Sequence, residues 1–150
     1  MIRDGRVSTV AGGDDSGAAD GGPGVGSLTW PMDIALDAEG ALWIADAGTA
    51  RIRRWHPSQG LSTPFPGQRL AMPHGIAVTP SGHLAVAEMY GHRILRIDPK
   101  GGEVATYCGT TKGGLGEGRL KKPAAVLAHA GRLWVADLGN HRIVTVPLSD

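Results

Sequence analysis

The sequence predicts an all-β chain built from three copies of one strand-and-turn unit. The copies are WPMDIALDAEGALWIADAGTARIRRW (30–55), MPHGIAVTPSGHLAVAEMYGHRILRI (72–97) and KPAAVLAHAGRLWVADLGNHRIVTV (122–146). The prolines that open them, Pro31, Pro73 and Pro123, are 42 and 50 residues apart. A period of about 40–50 residues made of short strands is typical of propeller blades, which bury their apolar faces only by stacking on one another. The sequence therefore predicts a β-propeller.

Each copy divides into strand-sized segments separated by turn residues. In the second copy GIAVTP, LAVAE and HRILRID alternate apolar with polar or small residues, which indicates antiparallel strands. A fourth strand is predicted for GGEVATYCG at 101–109, and similar phrases are GLSTPFPG at 60–67 and GRVSTVAG at 5–12. We therefore predict four-stranded antiparallel blades within a single domain, 1–150. The blades span about 30–67, 72–109 and 122–150.

The order of these strands predicts how the chain assembles. The chain begins with a fourth strand at 5–12 and stops after the third strand of its last blade. Three blades do not close a ring, because propellers typically contain about 4–8. We predict a two-fold homodimer with six blades, in which strand 5–12 of one subunit completes blade 122–150 of the other. The alternative is that the chain is part of a longer six-bladed protein.

Composition and charge exclude some classes of partner. The net charge is +1 and charged residues make up 19% of the chain, so neither nucleic acid nor a membrane surface is an expected partner. No stretch resembles a signal peptide or approaches the ~20 apolar residues of a membrane span, so a cytoplasmic location is expected. The single cysteine, Cys108, excludes an intrachain disulfide. The glycine-rich segment at 12–26 is predicted to be a flexible surface loop.

An acid ends the second strand of each copy, and an arginine follows five residues later. Such a carboxylate can accept turn amides and pair with the arginine, which holds two strands in register. Because a catalytic group is not expected three times at equivalent positions, we interpret this motif as structural. The histidines within it are predicted to bond the backbone of a neighbouring blade. The motif comprises Asp46, Glu88, Asp137, Arg51, Arg93, Arg142, His92 and His141.

The start of the innermost strands is the place where the copies differ in chemistry. There lie Asp33, His74 and Ala124, which we treat as equivalent positions at the mouth of the central channel. Imidazole and carboxylate suit a divalent metal, so His74 and Asp33 are candidate metal ligands, although no cofactor is required. Trp30 and Tyr90 are the aromatic residues expected near the same rim. These four residues are the candidate ligand-binding set.

The turn motif resembles the NHL repeat of six-bladed β-propellers. The segments that carry the resemblance are WIADAGTARIRR, VAEMYGHRILRI and VADLGNHRIVTV. The third copy has the full signature at Ala136, Asp137, Asn140, His141, Arg142 and Ile143. The second copy has Glu88 and Gly91 where Asp and Asn are usual, and the first has Thr49 and Ala50 where Asn and His are usual. The resemblance covers nearly the whole chain and implies a propeller without specifying a function.

Two classes of function follow. In the first, the assembled propeller is a non-catalytic binding module that presents its top face and channel mouth to a protein, peptide or small ligand. In the second, it is a metal-dependent lyase or hydrolase that acts at the channel mouth. Streptogramin lyases, which resemble MPHGIAVTPSGHLAVAE, act through a histidine with Mg²⁺, and amidating lyases use a histidine-bound zinc. Half a ring repeated twice offers only duplicated groups, so the binding module is favoured.

Overall fold

Three antiparallel sheets follow one another along the chain in a computed structural model that describes Gly5 and residues 7–148. Blade 1 contains β1 (Pro31–Leu36), β2 (Leu42–Asp46), β3 (Arg51–His56) and β4 (Gly60–Ser62). Blade 2 contains β5 (Pro73–Val78), β6 (Leu84–Glu88), β7 (Arg93–Ile97) and β8 (Val104–Gly109). Blade 3 contains β9 (Pro123–His129), β10 (Arg132–Asp137) and β11 (Arg142–Pro147). The prediction of an all-β chain with antiparallel blades is confirmed.

Sequential strands pair in every sheet, so each blade is a simple meander. Each blade's first strand lies beside the first strand of the next blade, which places β1, β5 and β9 at the inner edge. The first strands begin, and the second strands end, at one end of the sheets, which we call the top face. The opposite end, where the first strand turns into the second, is the bottom face. All three acids of the turn motif lie at the top.

The apolar core lies between successive blades, as stacking repeats require. One face of blade 1 packs on blade 2, and the other face of blade 2 packs on blade 3. The first interface buries Trp43, Ala45, Ile52, Leu70, Ile76, Leu84, Val86, Leu95 and Ile97. The second buries Ala77, Ala85, Ala87, Ile94, Leu120, Val126, Leu133 and Val135. Period-2 alternation along each strand produces these two faces, because successive side chains point to opposite sides of a sheet.

The outermost strands differ from the prediction in two places. β4 covers only Gly60–Ser62 rather than 60–67, because Pro64 and Pro66 have no N–H to donate to a ladder. Blade 3 has three strands in the described part of the chain, as the strand order predicts. Residues 7–12 form no strand in the protomer, and Arg6 of the predicted strand lies outside the described residues. The described residues of the same chain therefore pair β11 with β10 and supply no strand to its outer edge.

Candidate functional site

The three acids of the top face are buried and bound to backbone. Asp46 accepts the N–H of Thr29 at 2.7 Å, and Glu88 accepts the N–H of Ala71 at 2.8 Å. The Asp137 carboxylate accepts a third such amide, that of Lys121, at 2.6 Å. Each amide belongs to the residue two positions before the proline of the first strand. The acid therefore fixes the incoming chain against the end of the second strand in every blade.

The second carboxylate oxygen binds an arginine, but not the same arginine in each blade. Arg93 Nε donates to Oε2 of Glu88, and Arg142 Nε donates to Oδ2 of Asp137 at 2.8 Å. In blade 1 the expected pairing of Asp46 with Arg51 is wrong, because Arg53 Nη1 donates to Oδ2 of Asp46 at 3.2 Å. The sheet register still places Arg51 opposite Asp46, so the difference lies in the side chains.

Arg53 is the centre of a buried polar network that sequence reasoning missed. Its guanidinium also donates to Ser27 O at 2.9 Å, to Ala19 O at 3.0 Å and to Oδ1 of Asp20 at 2.8 Å. Burial raises the pKa of Asp20, but hydrogen bonds from Thr63 and Arg53 outweigh it and leave the pKa below its ordinary value. The loop before blade 1 is therefore tied to the sheet over residues 17–28, which corrects the prediction of a flexible loop there.

A sequence signal for this network was available. Arg53 stands at the position in its strand where blades 2 and 3 have Leu95 and Val144. A charged residue at a position that is apolar in the other blades indicates a buried ion pair, because an unpaired buried charge is too costly to retain. Arg53 is fully buried in this structure.

The two histidines of the motif have different surroundings. His92 follows the turn of blade 2, and its Nδ1 accepts the N–H of Lys122 at 3.1 Å. Lys122 lies at the start of blade 3, so this bond joins neighbouring blades. His141 holds the same position in blade 3 and is exposed, because no further blade follows it among the described residues.

At the channel mouth, the sheet register makes different residues equivalent from those that the sequence comparison predicted. The register pairs Asp33 with Ala45 and Gly75 with Ala87, so Asp33 corresponds to Gly75 rather than to His74. The spacing in the sequence agrees with the register, because Asp33 is the second residue after Pro31 whereas His74 directly follows Pro73. Asp33 accepts the N–H of Ile34 at 2.9 Å and that of Ile76 at 3.0 Å, which links the inner strands of blades 1 and 2.

His74 forms the corresponding link between blades 2 and 3. Its Nδ1 lies 2.8 Å from the carbonyl oxygen of Ala124 and donates to it, which in a neutral imidazole leaves the lone pair on Nε2. That tautomer suits a metal ligand. However, both oxygens of Asp33 accept backbone amides, and the described residues hold no group of three or more His, Cys, Asp or Glu that could bind a metal. The described side chains of one protomer therefore do not supply the three protein ligands of a zinc site.

Exposed aromatic side chains mark the top rim. Trp30 lies directly before β1 and Tyr90 lies in the turn between β6 and β7, and both are exposed. Lys122 Nζ lies 5.9 Å from the centre of the Tyr90 ring, within the range of a cation–π contact. A flat apolar ring beside an amine is thus available to a ligand at this rim.

The bottom face carries a groove of about 800 Å³ between blades 1 and 2 that the sequence did not reveal. A serine and a histidine meet there, since Ser81 Oγ lies 2.9 Å from Nδ1 of His83. Arg96 Nη2 donates to Nε2 of His83 at 2.6 Å, because a guanidinium has no acceptor. Nδ1 must then be the protonated nitrogen and the donor to Ser81. This polarity is opposite to the one that activates a serine nucleophile.

Comparison with known proteins identifies the repeat. Residues 70–97 match the family model of the NHL repeat, so the resemblance predicted from the sequence is confirmed. Protein SUPPRESSOR OF QUENCHING 1, chloroplastic, from Arabidopsis thaliana is 33% identical over 86 residues, which is 53% of this chain and 8% of that protein. Among the described residues, no helix has the length and apolarity needed to cross a bilayer.

Solved structures show the same fold. Virginiamycin B lyase from Staphylococcus aureus aligns with a TM-score of 0.58 and 24% identity over 83% of this chain and 43% of that one. The gluconolactonase XC5397 from Xanthomonas campestris aligns with a TM-score of 0.60 and 23% identity, over 72% of this chain and 35% of that one. A protein of unknown function from Bacteroides thetaiotaomicron aligns with a TM-score of 0.69 and 16% identity, over 82% of this chain and 37% of that one. The chain therefore spans less than half the length of these propeller-type proteins.

Proposed function

We propose that two copies of this chain close into a six-bladed propeller that acts as a non-catalytic binding module. The ring presents its top rim and channel mouth to a protein, a peptide or a small ligand. The observation that carries the assembly is the exposed apolar face of blade 3, whose counterparts in blades 1 and 2 are buried against the next blade.

The comparison of equivalent residues supports this assembly. On the open face of blade 3, Leu127, Trp134 and Ile143 are 59%, 42% and 68% exposed. The residues at the same register positions of blade 2 are Ala77, Ala85 and Ile94, which are 8%, 0% and 0% exposed because blade 3 covers them. The face of blade 3 is therefore built for a following blade, and the first blade of a second copy can supply it.

Blade 1 offers the complementary face. Ile34 and Leu36 of β1 are exposed, whereas Ile76 of β5, at the position of Ile34, is buried against the preceding blade. Each copy thus leaves two apolar faces exposed. The face of blade 3 can contact a following blade, and the face of blade 1 can contact a preceding blade. Two such head-to-tail contacts close a ring if the rotation permits.

Strand exchange completes the proposed seam. β11 is the outer strand of blade 3 in the described residues, and an unpaired apolar edge favours association. Residues 7–12 are mostly exposed and form no strand in the protomer, and they include the β-branched residues Val7, Thr9 and Val10. We propose that segment 5–12 of each copy pairs with β11 of the other. This segment is then the fourth strand that blade 3 lacks.

The chemistry of the top face supports a binding role over catalysis. Asp46, Glu88 and Asp137 are buried and each holds a backbone amide and an arginine, so their carboxylates serve the fold. In the bottom groove, Nδ1 of His83 donates to Ser81 Oγ, so His83 does not act as a base toward this hydroxyl. Exposed side chains at the rim include Trp30 and Tyr90, which provide apolar contact area.

The mass of the particle tests the assembly. Sedimentation equilibrium over a range of concentrations is expected to show a species of twice 15.5 kDa that dissociates on dilution. A species that stays at 15.5 kDa at all concentrations would show that the protein does not form the ring by itself. A longer polypeptide carrying further repeats would then be the better explanation of the open faces.

A metal-dependent lyase acting at the channel mouth is the second candidate. It is favoured by the likeness in fold to virginiamycin B lyase and by the tautomer of His74. The test is incubation of the protein with Mg²⁺ and quinupristin, which a related structure of that lyase contains. No conversion is expected. Turnover that depends on Mg²⁺ and is abolished by His74→Ala would overturn the assignment as a binding module.

A further inference from the structure

We infer that His141 latches the seam between two copies by accepting a hydrogen bond from the backbone N–H of Trp30 in the second copy. This inference rests on the proposed ring and assigns one residue a specific part in closing it. The bond has an exact counterpart inside the chain, at the junction between blades 2 and 3.

The internal junction shows how the latch is built. His92 has a positive φ of 55°, which directs the residue out of the turn after Glu88, and its Nδ1 accepts the N–H of Lys122. Lys122 also has a positive φ, of 50°, and directly precedes the proline of β9. The bond therefore joins a turn of one blade to the first residue of the next.

Both halves of this arrangement are repeated at the ends of the chain. His141 stands four residues after Asp137, as His92 stands four after Glu88, and its φ is 53°. Trp30 directly precedes the proline of β1 and has a φ of 54°, so its backbone matches that of Lys122. Within the described residues, the ring of His141 makes no hydrogen bond. A blade stacked on blade 3 as blade 3 is stacked on blade 2 would bring the N–H of Trp30 to it.

The remaining junction lacks this bond, which makes the seam distinctive. Ala50 stands at the histidine position of blade 1 with a φ of 57°, and its side chain has no acceptor. The amide of Met72, at the position of Lys122, instead donates to the carbonyl oxygen of Leu70 at 3.0 Å. The chain thus forms one junction without the histidine and one with it, and it carries a histidine at the end where a second copy must join.

The experiment compares His141→Ala with His92→Ala in the full chain, by sedimentation equilibrium. Alanine is acceptable at this backbone position, because Ala50 occupies it in blade 1. Two seams lose one bond each, so His141→Ala is expected to raise the dissociation constant of the dimer about 25-fold, roughly fivefold for each bond. His92→Ala is expected to leave the dissociation constant within about twofold of the wild type.

His141→Asn provides a rescue, since asparagine tolerates a positive φ and its side-chain oxygen accepts hydrogen bonds. Amide exchange supplies a second readout. The N–H of Trp30 is expected to be protected in the wild-type dimer and to exchange faster in His141→Ala under conditions where that variant is still dimeric.

The possible failures are distinguishable. A wild-type protein that is dimeric, with an unchanged dissociation constant and unchanged Trp30 exchange in His141→Ala, would overturn the latch and leave the ring intact. A wild-type protein that remains a monomer at every concentration would overturn both.

Discussion

The carboxylate of Glu88 fills the space that a side chain at Gly91 would need in the turn that follows β6, because a Cβ added to Gly91 would overlap Oε2 of Glu88. In the other blades the acid is the shorter aspartate, and the residue three positions later fills this space. Thr49 Oγ1 donates to Oδ2 of Asp46 at 2.7 Å. In blade 3, Asn140 Nδ2 makes the same kind of bond with Asp137, at 2.8 Å. The two departures of blade 2 from the NHL signature therefore compensate for each other.

This compensation predicts a strong coupling between the two positions. Gly91→Asn forces a clash with Glu88, and Glu88→Asp leaves a gap and a lost hydrogen bond, so each is expected to cost about 1–3 kcal/mol. The double variant recreates the pair found at Asp137 and Asn140 and is expected to recover most of the loss. Urea unfolding at one fixed protein concentration measures this cycle. Costs that simply add would show that the two positions are independent.

The turn acids are expected to act on stability. Asp137→Ala leaves the amide of Lys121 and the side chain of Arg142 without their carboxylate, at an expected cost of about 1–3 kcal/mol in unfolding free energy. Asp46→Ala is expected to behave in the same way, since Asp46 holds the equivalent place in blade 1. Thermal and urea unfolding check both variants. Wild-type stability combined with loss of a bound ligand would instead identify these acids as functional.

Arg53 and Arg51 provide a matched pair within one strand. Arg53→Ala removes four hydrogen bonds and leaves Asp46 as a buried acid without its cation, so an unfolding loss of about 3–5 kcal/mol is expected. Among the described residues, the ion pair of Asp46 is with Arg53 and not with Arg51, so Arg51→Ala is expected to cost clearly less. The same urea titration serves for both. A larger loss from Arg51→Ala would restore the pairing that the five-residue spacing suggested.

Deletion of residues 1–12 tests the proposed exchange of strands. The truncated chain retains both apolar faces but cannot supply a fourth strand to blade 3 of a partner. We expect a dissociation constant at least tenfold higher than that of the wild type, or aggregation through the open edge of β11. Sedimentation equilibrium gives the answer. A truncated protein that dimerises as tightly as its parent would restrict the seam to the blade faces.

The thiol of Cys108 is expected to be unreactive in the folded protein. Burial raises its pKa to about 11, so the thiolate, which is the reactive form, is scarce at pH 8. Alkylation by iodoacetamide at pH 8 should be at least tenfold slower in the native protein than in urea, followed by mass spectrometry. Equal rates in the two states would contradict the burial of this side chain.

Much of the fold can be predicted from short-range patterns in the sequence. Alternating residues in segments such as LAVAE predict strands, and the glycines and acids between them predict turns, because both patterns depend on neighbours in the chain. The repetition of these segments also predicts blades, since a repeat with two apolar faces must stack. The NHL signature at residues 137–143 required no structure to be recognised.

Only the tertiary structure decided which side chains meet. Arg53 rather than Arg51 binds Asp46 because Ala19, Asp20 and Ser27 supply its other acceptors, from about 26–34 positions earlier in the chain. The apolar residues at the equivalent positions of the other blades indicate that Arg53 has a buried partner, but local spacing does not identify that partner. By contrast, the sequence already separates Asp33 from His74, because Asp33 is two residues after Pro31 and His74 is one residue after Pro73. A sequence determines the period of its strands through neighbouring residues, whereas pairings across blades depend on packing between distant segments.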